Sequence, residues 1–111
     1  PRHRPRRADL NRARVIHGIR WVHAFEDDQA EGEVYRPATA TFPLSRRPRE
    51  AFELHRDGSA LVFRGAPDDR SMAHEATWSD TPRGIVVEDK DGAVLYRIVE
   101  RTPAQVIVRR D

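Results

Sequence analysis

The chain has 111 residues, of which 38% are hydrophobic and 34% charged, and it contains no cysteine. That length suits one domain and falls far short of the roughly 250 residues of an α/β barrel. Disulfides, thiolate metal sites and cysteine nucleophiles are excluded.

No apolar run approaches the roughly 18 residues of a membrane helix. The basic N-terminus is not followed by a signal-like apolar segment. Both features predict a cytoplasmic protein with no membrane span. The formal net charge is only +2, yet the isoelectric point is about 9.7. Arg supplies 19 of the 20 basic residues, Lys90 being the other. Arg does not titrate below about pH 12, so a small positive excess persists to high pH. Residues 1–20 hold seven Arg against Asp9, which is +6, while residues 21–111 hold 13 basic and 17 acidic residues, which is −4. The charge divides into a basic arm and an acidic body.

Residues 1–9 are rich in Arg and Pro and have too little apolar surface to offset ordering entropy, so they read as a flexible arm. The single domain is expected over 10–111. Residues 10–17 can form a short helical turn that needs a docking surface, since it is too short to stand alone. From Gly18 the apolar period becomes two: Ile19, Trp21, His23 and Phe25 alternate with Arg20, Val22 and Ala24, which predicts a first strand. An acidic turn follows at Glu26–Gly32. Val34–Arg36 is a short extended piece stopped by Pro37. Residues 38–50 carry Pro43, Pro48 and Arg46, Arg47 and Arg49; they read as a long ordered loop with a short strand near Thr39–Phe42. Loops of that length in a compact domain are often functional.

Ala51–Arg56 and Ser59–Arg64 flank Asp57-Gly58, the strongest hairpin signal in the chain. Gly65–Arg70 is a loop, and Met72–Trp78 is a strand. Ser79–Gly84 is a turn region with Pro82 and Gly84. Ile85–Glu88 pairs with Ala93–Glu100 across residues 89–92, and Gln105–Arg110 is the last strand. This makes seven or eight strands with short connections. Sequential antiparallel pairing follows, and closure into a barrel protects the edges best. The expected fold is all-β, an antiparallel up-and-down meander closing into a small barrel.

Gly18-Ile19-Arg20-Trp21 at the first strand, the short possible helix before it and the basic last strand Val106–Arg110 together resemble small bacterial lipocalin-like, or calycin-like, barrels. The spacing here is Gly-x-x-Trp, one residue longer than the lipocalin Gly-x-Trp. The resemblance implies one closed and one open barrel end, a Trp across the floor near a late basic residue, and ligand binding at the open end.

Three groups of residues are chemically suggestive. His23, His55 and His74 fall on three strands, with Glu53 and Glu75 near in sequence, but no tight metal-ligand spacing exists. His55 reads as solvent-facing, and His23, sharing a face with Trp21 and Phe25, as a pocket residue or a hydrogen-bonded core histidine. Tyr35-Arg36-Pro37 with Ser45-Arg46-Arg47 can hold an anionic group. The same Arg residues can instead pair with the acidic turn at Glu26–Glu31 and pin the loop. Asp68-Asp69-Arg70 reads chiefly as a self-bonded turn.

The leading expectation is a binding protein for a small apolar or amphipathic molecule, with an anionic end allowed. Trp21, His23, Phe25 and Trp78 would line the wall, and Tyr35, Arg36 and Arg46 would meet the ligand's polar end. No catalytic residue, metal or cofactor is assigned. Two alternatives stay open: a cofactor-free isomerase or cyclase using the same cavity, with His23 or Tyr35 moving a proton, and a packed barrel acting as a protein-interaction module through an edge strand or the 37–50 loop. The acidic body and the lack of an aromatic–basic stacking face argue against nucleic acid as partner. A homodimer is left open.

Overall fold

The computed structural model describes Ile16, residues 18–64 and residues 73–110. The arm, most of the 10–17 turn, and Asp68-Asp69-Arg70 lie outside the described residues. Ile16 itself is helical and buried.

Eight strands form: β1 (Arg20–His23), β2 (Glu33–Pro37), β3 (Ala51–Leu54), β4 (Ser59–Phe63), β5 (Ala73–Thr81), β6 (Gly84–Asp89), β7 (Val94–Arg101) and β8 (Val106–Arg109). They close into an antiparallel barrel. From β3 to β8 each strand pairs with the next, so this part is a continuous meander. At the seam, β1 pairs with both β2 and β3, and β2 pairs with β8. Every strand therefore has two neighbours, and closure leaves no free edge, which removes the edge-strand route to a partner.

The seam explains the long loop. Both β2 and β3 are antiparallel to β1, so they are parallel to each other with β1 between them. A parallel pair needs a crossover of about a dozen residues because its strands start at the same end. Residues 38–50 are that crossover. The strand expected near Thr39–Phe42 does not form: the segment runs outside the wall, where Phe42 covers the outward-facing Ala24, Val34 and Ile107 together with Val99.

Strand parity builds the main core. Trp21 lies opposite Phe52, Phe52 opposite Val62, Tyr35 opposite Val106, and Ile85 opposite Ile98. Directly opposed residues share a face, so these point into the barrel. Trp21, Tyr35, Phe52, Leu54, Val62, Val87, Tyr96, Val106 and Val108 are completely buried there. One end, the floor, is closed by Ile16 and Trp21, whose indole Nε1 donates to the Ile16 carbonyl at 3.3 Å. The opposite end is the rim.

Two turns show what the sequence signals meant. At Asp57-Gly58, Asp57 Oδ1 accepts from Ser59 N at 2.9 Å and from Ser59 Oγ at 2.6 Å, bonds that lower the Asp57 pKa. Gly58 takes φ +93°. The second turn is shorter than its composition suggests. Ser79, Asp80 and Thr81 stay in β5, opposite Val86, Ile85 and Gly84, which leaves only Pro82-Arg83 as the connection. Gly84 sits at φ +118°, and a Cβ there would collide with the Ile98 carbonyl.

Candidate functional site

The barrel interior is chemically divided. Toward the floor Ile16, Trp21, Leu54, Ile85 and Ile98 pack together, with Trp78 partly buried against them; the inward-parity charges at that end, Asp80 opposite Ile85 and Arg101 opposite Val106, pair with each other at 3.4 Å. Toward the rim the same inward parity reaches charged residues. Glu33 lies opposite inward-facing Val108. Glu50 precedes Phe52 by two residues, Arg64 follows Val62 by two, and Arg110 follows Val108 by two. His23 lies opposite Tyr35, and His74 opposite Val62 at the exposed rim.

Arg110 joins most of these groups. Its Nε donates to both Glu33 carboxylate oxygens, at 3.0 and 2.9 Å. Its Nη2 donates to the Tyr35 hydroxyl at 3.1 Å and to Glu50. The guanidinium carbon stands 5.0 Å from the centre of the Tyr96 ring, a cation–π distance. Arg64 approaches the other Glu50 oxygen at 3.8 Å. Burial on its own would lower the Arg110 pKa, but the Glu33 hydrogen bond and the neighbouring Tyr35, Tyr96 and Glu50 raise it above the usual value. Arg110 is a fixed positive charge, already committed to two carboxylates.

Below it lies an aromatic stack. The His23 and Tyr35 rings are stacked, 4.8 Å between centroids and 11° apart. Phe52 touches both tyrosines, with centroids 5.0 Å from Tyr35 and 5.3 Å from Tyr96, and the two tyrosine centroids are 6.1 Å apart. Burial raises the Tyr35 pKa, and Tyr96, Glu50 and Glu33 add to the rise while Arg110 opposes it. Burial likewise raises Tyr96, with Glu50 adding and Arg110 and Arg64 opposing. Both phenols are therefore held protonated. The Tyr96 hydroxyl is buried and makes no hydrogen bond of full geometry; its hydrogen-bonding neighbour is the Tyr35 hydroxyl, which lowers the Tyr96 pKa against the larger effect of burial.

His23 is 5% exposed. Its Nε2 sits 3.0 and 3.1 Å from the two Asp28 oxygens and 3.7 Å from Glu33. A carboxylate only accepts, so Nε2 carries the proton and donates. Asp28 is itself placed by the Val34 amide, which donates to Oδ1 at 2.9 Å.

Of the residues singled out in the sequence, the structure brings His23 and Tyr35 together and sets Phe25 edge-on to His23 at 5.9 Å. Trp21 lies at the floor, and so does Trp78, whose Nε1 donates to the His55 carbonyl at 2.7 Å. Arg36 alternates with Tyr35, so it points outward, where it pairs with Asp27 at 3.1 Å. Arg46 is exposed on the crossover. Neither reaches the inward-facing rim. The acidic turn is met instead by Arg36 and by Arg49, which donates to both Glu26 oxygens at 2.9 and 2.6 Å and to the carbonyls of His23 and Pro43. The histidines do not assemble: His55 lies in the floor-side turn, bonded to Ser59 and Glu53. Among the described residues no three His, Asp or Glu side chains converge as a metal site would need.

The sequence reading did not single out Glu33, Glu50, Arg64 or Arg110, whereas Tyr96, with Phe52 and Phe63, was expected among the aromatics that fill the interior or line a cavity. The outer surface also carries clefts. One, of about 220 Å³, is bounded by Ala30–Glu33 and Val108–Arg110 and opens beside the Arg110 network. Another, of about 460 Å³, lies at the rim between Ala73–Glu75 and Asp89–Asp91. No helix among the described residues is long and apolar enough to cross a membrane. No protein-family model, curated protein or solved structure matches the chain.

Proposed function

We propose that the protein binds a small, apolar or amphipathic molecule in the rim half of the barrel, with Tyr35, Phe52 and Tyr96 as its wall and the Arg110 network as its polar boundary. The supporting observation is the division of the interior. At the floor the inward-parity charges Asp80 and Arg101 simply pair with each other, whereas at the rim Glu33, Glu50 and Arg110 are joined to the buried Tyr35 hydroxyl above an aromatic wall. These side chains are only partly exposed, about 30% for Glu33, Glu50 and Arg110, so part of their hydration is given up for the mutual pairing. Concave sites of mainly apolar character with a few placed polar groups are the usual form of small-molecule pockets.

The reading stays close to a lipocalin-like arrangement in one respect: a first-strand Trp over a short N-terminal segment closes the floor, which leaves the opposite end for ligand. It departs in two. β1 sits between β2 and β3, and the late basic residue Arg110 stands at the rim, away from Trp21. Arg36 and Arg46 drop out of the proposed site, while His23 stays in it through its stack on Tyr35.

Binding is favoured over isomerase or cyclase chemistry by the state of the two candidate proton carriers. Tyr35 is held protonated by burial and takes a hydrogen bond from Arg110. His23 directs Nε2 to Asp28. Neither is placed as a free base toward the Tyr96 end.

The test is a titration with the neutral fluorophore N-phenyl-1-naphthylamine, followed by fluorescence and by NMR of the aromatic side chains. Saturable binding at one site, with shifts centred on Tyr35, Phe52 and Tyr96, is expected. Non-saturable enhancement, or shifts confined to the outer clefts, overturns the proposal.

A further inference from the structure

Resting on the reading that the rim half takes a small molecule, we infer that the ligand is a neutral carbonyl compound whose oxygen accepts a hydrogen bond from the Tyr96 hydroxyl. Three observations lead there.

The first is the orphaned hydroxyl. Tyr96 is fully buried, and its oxygen makes no hydrogen bond of full geometry; the neighbouring Tyr35 hydroxyl acts on it only as a donor, which leaves the Tyr96 proton without an acceptor. Buried polar groups are nearly always paired, so each exception calls for an explanation. A phenol oxygen shares its lone pairs with the ring, which makes it a weak acceptor and a good donor. The bond left unmade is chiefly the one Tyr96 would donate, so the missing partner is an acceptor.

The second is the electrostatic setting. The charges gathered around Arg110 are Glu33 and Glu50 against Arg64 and Arg110 itself, which balance, and Asp89, opposite inward-facing Ala76, adds a further carboxylate at the rim. Arg110 is spent on Glu33, Glu50 and Tyr35, and Arg64 faces Glu50. Among these described residues no cation is left over to compensate a ligand's negative charge, and the carboxylates would repel one. An anionic acceptor is disfavoured, and a neutral acceptor oxygen is what remains.

The third is the surrounding wall. Phe52 lies against one side of Tyr96, and the Arg110 guanidinium covers its ring. Val87 is its direct cross-strand neighbour. An apolar body beside the carbonyl would rest on these surfaces and exclude water from the hydrogen bond, which strengthens it.

The experiment uses three small molecules of matched shape: acetophenone, ethylbenzene and benzoate. Each is titrated into the full-length protein and into Tyr96→Phe, with binding read by NMR shifts. For the wild type, acetophenone should bind about tenfold more tightly than ethylbenzene, the equivalent of one net hydrogen bond, and more tightly than benzoate. In Tyr96→Phe the preference for acetophenone over ethylbenzene should vanish while ethylbenzene binding is kept. Tyr35→Phe should retain the preference, because Tyr35 already holds an Arg110 hydrogen bond. Equal binding of acetophenone and ethylbenzene, or a preference that survives Tyr96→Phe, overturns the carbonyl assignment and leaves the pocket intact. Tightest binding by benzoate also overturns it, in favour of an anion site. If none of the three binds, the pocket itself is refuted.

Discussion

Replacing Arg110 with Met tests the network that bounds the proposed site. Met keeps much of the apolar stem and removes the guanidinium. Four hydrogen bonds go with it: two to Glu33, one to Glu50 and one to Tyr35. Glu33 then loses its Arg partner, and Glu50 keeps only Arg64 at 3.8 Å. Breaking a fully buried pair by removing one partner costs about 3–5 kcal/mol. Here the side chains of Arg110, Glu33 and Glu50 are 33%, 29% and 28% exposed, so water screens part of the loss and a cost of about 2–3 kcal/mol is expected. For a domain of this size that is roughly a 10–20 °C fall in Tm. Chemical denaturation gives the free energy, and calorimetry gives the Tm. The reasoning makes a second demand. If much of the cost is stranded negative charge, adding Glu33→Gln and Glu50→Gln to Arg110→Met should restore about 1 kcal/mol or more. A loss below about 0.5 kcal/mol for Arg110→Met, or no recovery on neutralising the two glutamates, would refute the network as a coupled unit.

The remaining predictions concern the crossover, a turn and the orphaned phenol. Arg49→Lys cannot keep the bidentate grip on Glu26 together with the two carbonyl bonds, or the stacking over Phe25 and Phe42; it should cost about 1–2 kcal/mol and speed trypsin cleavage within residues 38–50. The Arg49 hydrogen bond holds the Glu26 pKa down to about 2. A carboxyl depressed in the folded state stabilises above its ordinary value near 4.5 and loses that contribution as pH falls toward 2. The stability gap between wild type and Glu26→Gln should therefore close over that window, as denaturation at stepped pH would reveal. Gly84→Ala combines positive φ with a collision at the Ile98 carbonyl and should cost about 2–4 kcal/mol by denaturant titration. Tyr96→Phe, in contrast, removes a buried donor with no partner, so stability should hold or rise by up to about 1 kcal/mol; a clear loss would mean the hydroxyl is satisfied in solution.

Much of the barrel was legible because period-two alternation is a local property. Phe52 and Leu54, Ala60 and Val62, Ile85 and Val87, and Tyr96 and Ile98 are each two residues apart, and all are inward-facing. The Asp57-Gly58 hairpin was equally local. The arrangement at the seam was not. Nothing within β1, β2 or β3 states that β1 pairs with both of the others, since that choice depends on which outer surface the crossover can cover. Phe42 meeting Val34 and Ile107 settles it, and those residues are distant in sequence. The extent of the Ser79–Gly84 turn was misjudged for a different reason. Pro82 and Gly84 mark a turn without fixing its length, and the pairing of Asp80 with Ile85 extends the strand to the last residue before Pro82.

The ring of rim charges was not singled out although its signal is present in the chain. Searching for clustered residue types led to Arg36 and Arg46, which are near Tyr35 in sequence but on the wrong parity or outside the sheet. The informative step is to continue each strand's inward parity past its apolar part. From Tyr35 back to Glu33, from Phe52 back to Glu50, from Val62 on to Arg64 and from Val108 on to Arg110, each step of two reaches a charge. The direction of the step reverses between antiparallel neighbours: backward in β2 and β3, forward in β4 and β8. With β2 and β3 leaving the rim and β4 and β8 approaching it, backward and forward steps lead to the same end. Four charges that are scattered along the sequence therefore collect in one ring, two of each sign, with the unpaired Tyr96 hydroxyl beneath them. The floor end carries one such pair, Asp80 with Arg101, so the proposed mouth is distinguished by the aromatic wall of Tyr35, Phe52 and Tyr96 beneath its charges.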